Sequence, residues 1–270
     1  MRFTVAHTTR YRYDAPVYLE PHTFRLCPRQ DAAQRALRHK LEITPAPAGR
    51  AEGLDQDGNI MTQAWFTGPT EELAVRSEFE VETLRANPFD FLMDPGDRVL
   101  PLAYPAVLAP YLREEDSDGV RAFAQSVAAE AGGETLPFLT ALTQTLHGTV
   151  RQMVRREGAP NAAAVTLASR EGSCRDLAVL FCALCRAVGI AARFVSGYER
   201  EASVLDGGDL HAWAEVYLRG GGWRGFDPSR GLAVSVHHVA VAAAADPALA
   251  APVAGTYRGH AKATMSFEIS

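Results

Sequence analysis

Alternation of apolar and polar side chains marks the first third of the chain. It is partial but recurs in four segments, FTVAHTTRYRY, RHKLEITPAP, NIMTQAWFTG and ELAVRSEFEVETL. A period of two residues is typical of strands that bury one face, and the intervening DQDGN at residues 55–59 favours a turn. We therefore predict an antiparallel, sandwich-like β domain over residues 1–90.

Prolines break this pattern after the β domain. Four of them fall between residues 88 and 105, which excludes a long helix or a regular central strand in this segment. We interpret residues 91–115 as an ordered connector that packs its aromatic side chains.

Helical spacing begins after the connector. Residues 117–133, SDGVRAFAQSVAAEAGG, have a serine or an aspartate as the cap and two glycines as the stop. Apolar residues at helical spacing in TLPFLTALTQTLHGTVRQMVRRE predict a second helix over residues 135–157. The next segment, residues 158–171, is predicted to be a polar loop with at most one short turn.

A wholly apolar helix and several strands complete the pattern. Residues 174–188 contain LAVLFCALC, which is apolar on every side and predicts a helix buried at the centre of a domain. We predict strands in IAARFVSGYE, in a hairpin of HAWAEVYL and WRGFDPS around RGGG, and in the terminal TMSFEIS, which a strand or turn in AVAAAADPALAAP precedes. The predicted class is α+β, with the β domain preceding a core of helices and antiparallel strands over residues 116–270.

Composition and charge restrict the classes of function. The 270 residues are 47% hydrophobic and 22% charged, as in ordinary globular proteins. A formal net charge of -5 and scattered Lys and Arg residues disfavour nucleic-acid binding. No run approaches the roughly 20 apolar residues of a membrane span, and MRFTVAHTTRYRYD at the start lacks the apolar stretch of a secretory signal. We therefore expect a cytoplasmic protein without nucleic-acid or membrane partners.

The four cysteines do not indicate a disulfide framework. Cys27 is isolated, whereas Cys182 and Cys185 lie in the apolar helix, where cysteine usually acts as a small hydrophobic residue. A structural zinc site needs four ligands, and this C-x-x-C pair has no second ligand pair. We predict no metal and no cofactor, which also argues against a zinc-stabilised interaction domain.

Cys174 differs from the other cysteines in its position. Ser173 fits an N-cap and Asp176 fits its N3 partner in a variant of the capping box. Cys174 then lies in the first helical turn, where unpaired N–H groups and the helix dipole favour a thiolate. Gly172 leaves room for a substrate to approach. Together these features indicate a nucleophile.

A thiolate nucleophile needs a base, and the chain contains eight histidines. His211 is the best candidate because it opens a strand soon after the cysteine helix. His147 lies on an amphipathic helix, and His237 and His238 begin a strand with no acidic partner evident in the sequence. Structural roles are expected for the histidines of the β domain, His7, His22 and His39.

Three aspartates are candidates to orient His211. Asp227 lies on the returning arm of the hairpin, 16 residues after His211, which places the two side chains on neighbouring strands. Asp209 precedes His211 by two residues, and Asp176 is expected to cap its own helix. The glycine-rich turn leaves the register of the hairpin open, so the residue pattern alone does not choose among them.

Two blocks, GSCRDLAVLFCALCRAVGIAARFVSGY and DLHAWAEVYLRGGGWRGFDPSRGL, closely resemble the bacterial transglutaminase-like proteins, a branch of the papain-like thiol enzymes. The opening HTTRYRYDAPVYLEPHTFRLCPR is similar to the β domain that precedes the core in that family, and APVAGTYRG is similar to its tail. The resemblance thus covers nearly the whole chain. It implies a transglutaminase-like core with Cys174 as nucleophile, His211 as base and Asp227 as orienting acid.

The resemblance also implies a reaction, the attack on amide bonds of peptides or proteins through a thioester acyl-enzyme. Protein-crosslinking transglutaminases carry a tryptophan upstream of the nucleophile that helps to hold the oxyanion, and this chain has none between Trp65 and Trp213. Hydrolysis by a protease or amidase is therefore expected in preference to crosslinking. No D-x-D-x-D-G loop indicates a calcium site. The alternative is a binding or assembly module that keeps the fold without catalysis.

Overall fold

The N-terminal part of the chain is built from two antiparallel sheets. The structure, a computed structural model, describes residues 1–155, 158–200 and 210–270. Long strands form the first sheet, with β6 between β1 and β3: β1 (Arg2–Leu19), β3 (Gln34–Thr44) and β6 (Thr70–Thr83). Shorter strands form the second sheet, with β5 between β2 and β4: β2 (His22–Phe24), β4 (Gly49–Leu54) and β5 (Ile60–Trp65).

Apolar side chains from both sheets fill the space between them. Val17 of β1 and Leu73 of β6 pack in one cluster with Phe24 of β2 and Ala64 of β5, and all four are buried. This confirms the predicted sandwich-like domain. β4 was not predicted, because its side chains are exposed beyond the first residue and its sequence therefore shows no apolar–polar alternation.

The end of the chain returns to these two sheets. Three short strands, β14 (Val253–Ala254), β15 (Tyr257–Arg258) and β16 (Ala263–Ile269), pair with strands near the N-terminus. β14 pairs with β2, whereas β15 and β16 both pair with β1. The terminal strand was predicted, but its partner more than 240 residues away in sequence was not.

Helices occupy the middle of the chain. The connector contains two 3-10 helices, Pro95–Asp97 and Ala106–Leu112, and the α-helices are α1 (Asp118–Glu130), α2 (Thr135–Thr149), α3 (Ala163–Ser169) and α4 (Cys174–Ala187). Ser117 caps α1 as predicted, through a side-chain bond from Val120 N. No helix in the described part of the chain is long and apolar enough to cross a membrane.

Two predictions for this region are wrong, the end of one helix and the loop that follows it. The helix predicted over residues 135–157 ends at Thr149, because Gly148 and the β-branched Thr149 and Val150 are poor helix formers. The chain continues as β7 (Arg151–Gln152), which pairs in parallel with β8 (Glu171–Gly172). The segment predicted as a polar loop contains α3, whose Ala163 and Thr166 are buried.

The core pairs the buried helix α4 with a third antiparallel sheet. Its strands are β9 (Ala192–Glu199), β10 (His211–Leu218), β11 (Gly222–Asp227), β12 (Leu232–Ala233) and β13 (His238–Ala244), in the order β12-β11-β10-β9-β13. A 3-10 helix, Pro247–Ala250, follows β13. Helix α4 packs on β9 and β10, with α1, α2 and α3 around it, so the predicted central helix on an antiparallel sheet is confirmed.

Side-chain amides of the N-terminal part cover the outer edge of β13. Gln34 donates from Nε2 to Ala240 O at 2.7 Å and accepts from Ala240 N at 2.8 Å. Asn59 does the same with Ala243, donating to its carbonyl at 2.9 Å and accepting from its N–H at 2.8 Å. Each side-chain amide thus takes the place of a neighbouring strand and pairs with backbone groups at the edge of β13, where Arg29 N also donates to Ala240 O at 2.9 Å.

Gln34→Ala is expected to destabilise the protein by roughly 2–6 kcal/mol, because the buried Ala240 N–H and the Arg29 carbonyl each lose their Gln34 partner at about 1–3 kcal/mol. Chemical denaturation measures the change in unfolding free energy. The matched control is Gln63→Ala, which removes an exposed amide from β5. Equal losses for the two variants would mean that the contacts with β13 do not hold the two parts of the protein together.

Candidate active site

Cys174 is the first residue of α4, as predicted. Ser173 donates from its backbone N–H at 2.7 Å and from its hydroxyl at 2.8 Å to Oδ2 of Asp176. The other carboxylate oxygen accepts from the backbone of Asn161 at 2.7 Å and pairs with Arg155. Asp176 therefore caps its own helix, and the positive end of the α4 dipole lies beside the thiol of Cys174.

His211 is the first residue of β10 and lies beside the thiol of Cys174. Both side chains line one cavity, and a hydrogen bond between them helps to raise the pKa of the His211 imidazole. His211 is buried, with 4% of its surface exposed, and its Nε2 lies 2.7 Å from Oδ2 of Asp227. Because Nε2 is directed at Asp227, Nδ1 is the ring nitrogen left for the thiol.

Asp227 is the last residue of β11, and the register of the hairpin brings it to His211. Phe226 pairs with Ala214, so Asp227 falls opposite Trp213 and diagonal to His211 on the same face. Of the three aspartates considered, the described residues thus bring Asp227 to His211, while Asp176 caps α4. Asp209 lies outside the described residues.

The carboxylate of Asp227 is fully buried and saturated with donors. Its Oδ1 accepts from the Ser229 hydroxyl at 2.6 Å, from Ser229 N at 3.0 Å and from Arg230 N at 3.2 Å. Its Oδ2 accepts from His211 and also from His238 Nε2 at 3.1 Å. These bonds fix the rotation of the carboxylate toward the imidazole.

The expectation that His238 has no acidic partner is wrong. His238 begins β13, which lies beyond β9 in the sheet, yet its ring reaches Asp227. Gly197 of β9 permits this approach, because a Cβ there would lie 2.6 Å from the ring of Trp213, and that ring meets the imidazole of His238 edge-on at 5.1 Å. The sequence signal for this role is a histidine that opens the otherwise apolar segment HVAVAAA, which forms a fully buried strand.

Charge pairing dominates the titration of His211 and Asp227. Burial alone would lower the pKa of His211, but the charge and hydrogen bond of Asp227, with a smaller contribution from Cys174, raise it to about 10. Burial would raise the pKa of Asp227, and the charge and hydrogen bond of His211, with those of His238, hold it well below its usual range. The pair therefore favours an imidazolium facing the thiol at neutral pH.

The other three thiols lack this environment. Burial raises the pKa of Cys27 and of Cys182 to about 11, and it raises the pKa of Cys185 well above its ordinary value. All four cysteines are free. The C-x-x-C pair thus stays protonated inside the core, as expected for small buried side chains.

The cavity beside Cys174 has a volume of about 910 Å³ and lies between the core and the N-terminal sheet. The core contributes Phe194, Val179 and the segment around Pro160. One wall comes from β1 and β16, whose residues facing the cavity are His7, Thr9, Tyr11, Met265 and Phe267. The β domain therefore shapes the cleft in which the thiol lies.

A chain of hydrogen bonds gives this wall one defined polar group. Tyr198 OH lies 2.7 Å from His7 Nδ1, and His7 Nε2 lies 3.0 Å from the Thr9 hydroxyl. Burial lowers the pKa of His7 to about 4, so the ring is neutral and only one nitrogen carries a proton. Tyr198 has no other acceptor among the described residues, so it donates to Nδ1, Nε2 donates to Thr9, and the Thr9 proton is left for the cavity.

His211, Asp227 and His238 also form a group whose ligand atoms lie within 4.8 Å of one another, as metal ligands do. Zinc binds imidazole nitrogen without its proton. An ion would therefore replace the N–H donors that join both rings to Asp227, and His211 would no longer exchange a proton with Cys174. The hydrogen bonds already account for this arrangement, and metal binding would exclude an acid–base role.

Two family models match this chain. Residues 3–82 match the bacterial transglutaminase-like N-terminal region, and residues 121–228 match the transglutaminase-like superfamily. The second match spans Cys174, His211 and Asp227, and together the matches cover more than half of the chain.

Proteins similar to this one align with nearly the whole of the chain. An uncharacterised protein of Mycobacterium tuberculosis is 29% identical over 276 residues, covering 94% of this chain and 87% of the relative. An uncharacterised protein of Mycobacterium leprae is 27% identical, with 96% and 94% covered. The crystal structure of a candidate cysteine protease from Cytophaga hutchinsonii superposes with a TM-score of 0.74 at 23% identity, covering all of this chain and 90% of the other. The chain belongs to the transglutaminase-like superfamily and has the bacterial transglutaminase-like region at its N-terminus.

Proposed function

We propose that this protein is a cysteine enzyme that cleaves amide bonds of peptides or proteins with Cys174, His211 and Asp227. The observation that carries the proposal is the thiol at the start of α4 beside an imidazole that Asp227 holds at 2.7 Å. A nucleophile, a base and a group that orients the base meet at one cavity, which is the arrangement that thiol catalysis requires.

The reaction follows from this arrangement. The Cys174 sulfur attacks the carbonyl carbon, and the C–S bond forms as the carbonyl oxygen takes the negative charge. The backbone N–H of Cys174 is a donor for that oxygen. His211 then gives its proton to the nitrogen, the C–N bond breaks and the amine leaves. Water then attacks the thioester carbon while His211 takes a proton from it. The C–S bond breaks, the carboxylic acid leaves, and the thiolate of Cys174 is regenerated beside the protonated His211.

Hydrolysis is favoured over amine transfer as the final step. The two reactions share every step up to the thioester and differ only in whether water or a second amine attacks it. The chain lacks the upstream tryptophan that crosslinking relatives use to hold the oxyanion, which argues against protein crosslinking.

The walls of the cavity support a peptide as substrate. Tyr11 and Met265 offer apolar surface, while the Thr9 hydroxyl offers a proton to an acceptor such as a peptide carbonyl. We propose no nucleic-acid or membrane partner. We also propose a cytoplasmic location, with which four free thiols are consistent.

The other candidate function is a binding or assembly module that uses this cavity without chemistry. The coupling of Cys174 to His211 argues against it, because a purely binding surface gains nothing from a reactive thiol. Thiol reactivity therefore distinguishes the two candidates without knowledge of the natural substrate.

Brief treatment with iodoacetamide at neutral pH is expected to alkylate Cys174 much faster than the other three cysteines, since only Cys174 combines access to the cavity with stabilisation of the thiolate. Peptide mapping by mass spectrometry locates the label. The unfolded protein is the control, in which the four thiols should react alike. Equal labelling in the folded protein, or protection of Cys174, would refute the nucleophile assignment.

A further inference from the structure

His238 is a second imidazole on the carboxylate that holds His211. Its Nε2 lies 3.1 Å from Asp227 Oδ2, the same oxygen that His211 Nε2 contacts at 2.7 Å. An ionised carboxylate only accepts hydrogen bonds, so both nitrogens donate to it. The two rings therefore share the negative charge of one oxygen.

Packing does not explain a histidine at this position. His238 is 5% exposed, and its Nδ1 is buried without a partner in the described part of the chain. An unpaired buried nitrogen destabilises the fold, whereas a phenyl ring would fill the same space against Trp213 without that penalty. The nitrogen that does have a partner, Nε2, therefore explains why a histidine occupies this position.

Orientation of the carboxylate does not explain His238 either. Three donors on Oδ1, from Ser229 and the Arg230 backbone, already fix the rotation of Asp227. A donor on Oδ2 adds little to that orientation. It does draw negative charge from the atom that faces His211, which is an electrostatic effect.

We propose that His238 is a positioning residue that limits how strongly Asp227 stabilises the imidazolium form of His211. This inference rests on the proposed function, because it concerns the same catalytic unit. His211 must hold a proton beside the thiolate and then release it to the leaving amine. A carboxylate that held the imidazolium too strongly would slow that release, and the N–H of His238 weakens its hold. A positive charge on His238 would act in the same direction.

Among the described residues, the titratable groups around the two rings come from three elements. Cys174 on α4 and Asp227 on β11 contact His211. Glu199 on β9 pairs in register with His238 and forms an ion pair with Arg230 at 3.2 Å. The charge of Glu199 is thus balanced locally, which leaves Asp227, within the part of the chain that the structure describes, as the anion that His238 modulates.

The test is the rate of Cys174 alkylation by iodoacetate as a function of pH. This anion is attracted by the imidazolium, so the rate rises as the thiolate forms and falls as His211 loses its proton. In His238→Phe, the falling limb should move to higher pH by roughly one unit, the scale of one charge-assisted hydrogen bond, and the rising limb should move to lower pH. His238→Gln, whose amide can donate to Asp227, should restore the profile.

Each outcome bears on the proposal. His237→Ala, an exposed neighbour, is the control and should match the wild type. If the His238→Phe profile overlays that of the wild type, or if the pH range between its two limbs becomes narrower, the inference is overturned while the proposed function stands. If His211→Ala gives the same profile as the wild type, the inference and the proposed function both fail. Should His238→Phe not fold, ¹⁵N NMR of the unmodified protein decides: a proton on Nε2 of His238 supports the inference, and its absence overturns it.

Discussion

In Asp227→Asn, the imidazolium of His211 is expected to persist only below about pH 6.5, the ordinary histidine value, instead of up to about pH 10. The carboxylate is what raises the pKa of His211, and burial, which acts in the opposite direction, remains when the charge is gone. At neutral pH the thiolate would then have no cation beside it. Turnover of an amide substrate should fall by about 10²- to 10⁴-fold, the usual contribution of a positioned acid–base group.

The falling limb of the iodoacetate rate–pH profile measures this change in Cys174 reactivity. Asp246→Asn is the matched control, because it removes the same charge from the wall of the same cavity without touching His211. Asp227→Ala supplies a second variant in which no amide can replace the carboxylate. A falling limb that stays near its wild-type pH in both Asp227 variants would show that another group holds the imidazolium.

Phe181→Ala is expected to cost about 3–5 kcal/mol of unfolding free energy, the range for truncating a buried phenylalanine. Phe181 lies in α4, has no exposed surface and stacks on Phe226 of β11 at 5.8 Å. The substitution therefore opens a void between the cysteine helix and the strand that ends in Asp227.

Urea denaturation of the full chain tests this expectation. Leu92→Ala is the control, because Leu92 is 91% exposed, and it should change stability by less than about 0.5 kcal/mol. If the two variants lose similar stability, α4 is not the centre of the core.

Local patterns were sufficient to predict the elements that hold the catalytic candidates. The apolar run in α4 and the serine before it predicted both the burial of the helix and the position of Cys174 in its first turn. The glycine turn between β10 and β11 predicted the hairpin. The register that brings Asp227 to His211 depends on how the turn closes, and the sequence left it open.

What the sequence could not predict depends on contacts between distant segments. His238 reaches Asp227 only because Gly197 leaves space across β9, and no local pattern encodes that approach. The wall formed by β1 and β16 joins the two ends of the chain. The early end of α2 is a different failure, in which helical spacing of apolar residues outweighed the weak helix propensity after Gly148.

The pH dependence of Cys174 alkylation by iodoacetamide in the wild type and in His211→Ala measures directly whether the two side chains act as one unit. His260→Ala, an exposed histidine, serves as the control. If Cys174 and His211 form one unit, the wild-type thiol should be alkylated rapidly at neutral pH, whereas His211→Ala should react much more slowly there and reach a comparable rate only in more alkaline solution. A His211→Ala curve that overlays the wild type would show that the two groups are not coupled and would contradict the assignment of Cys174, His211 and Asp227 as a catalytic unit.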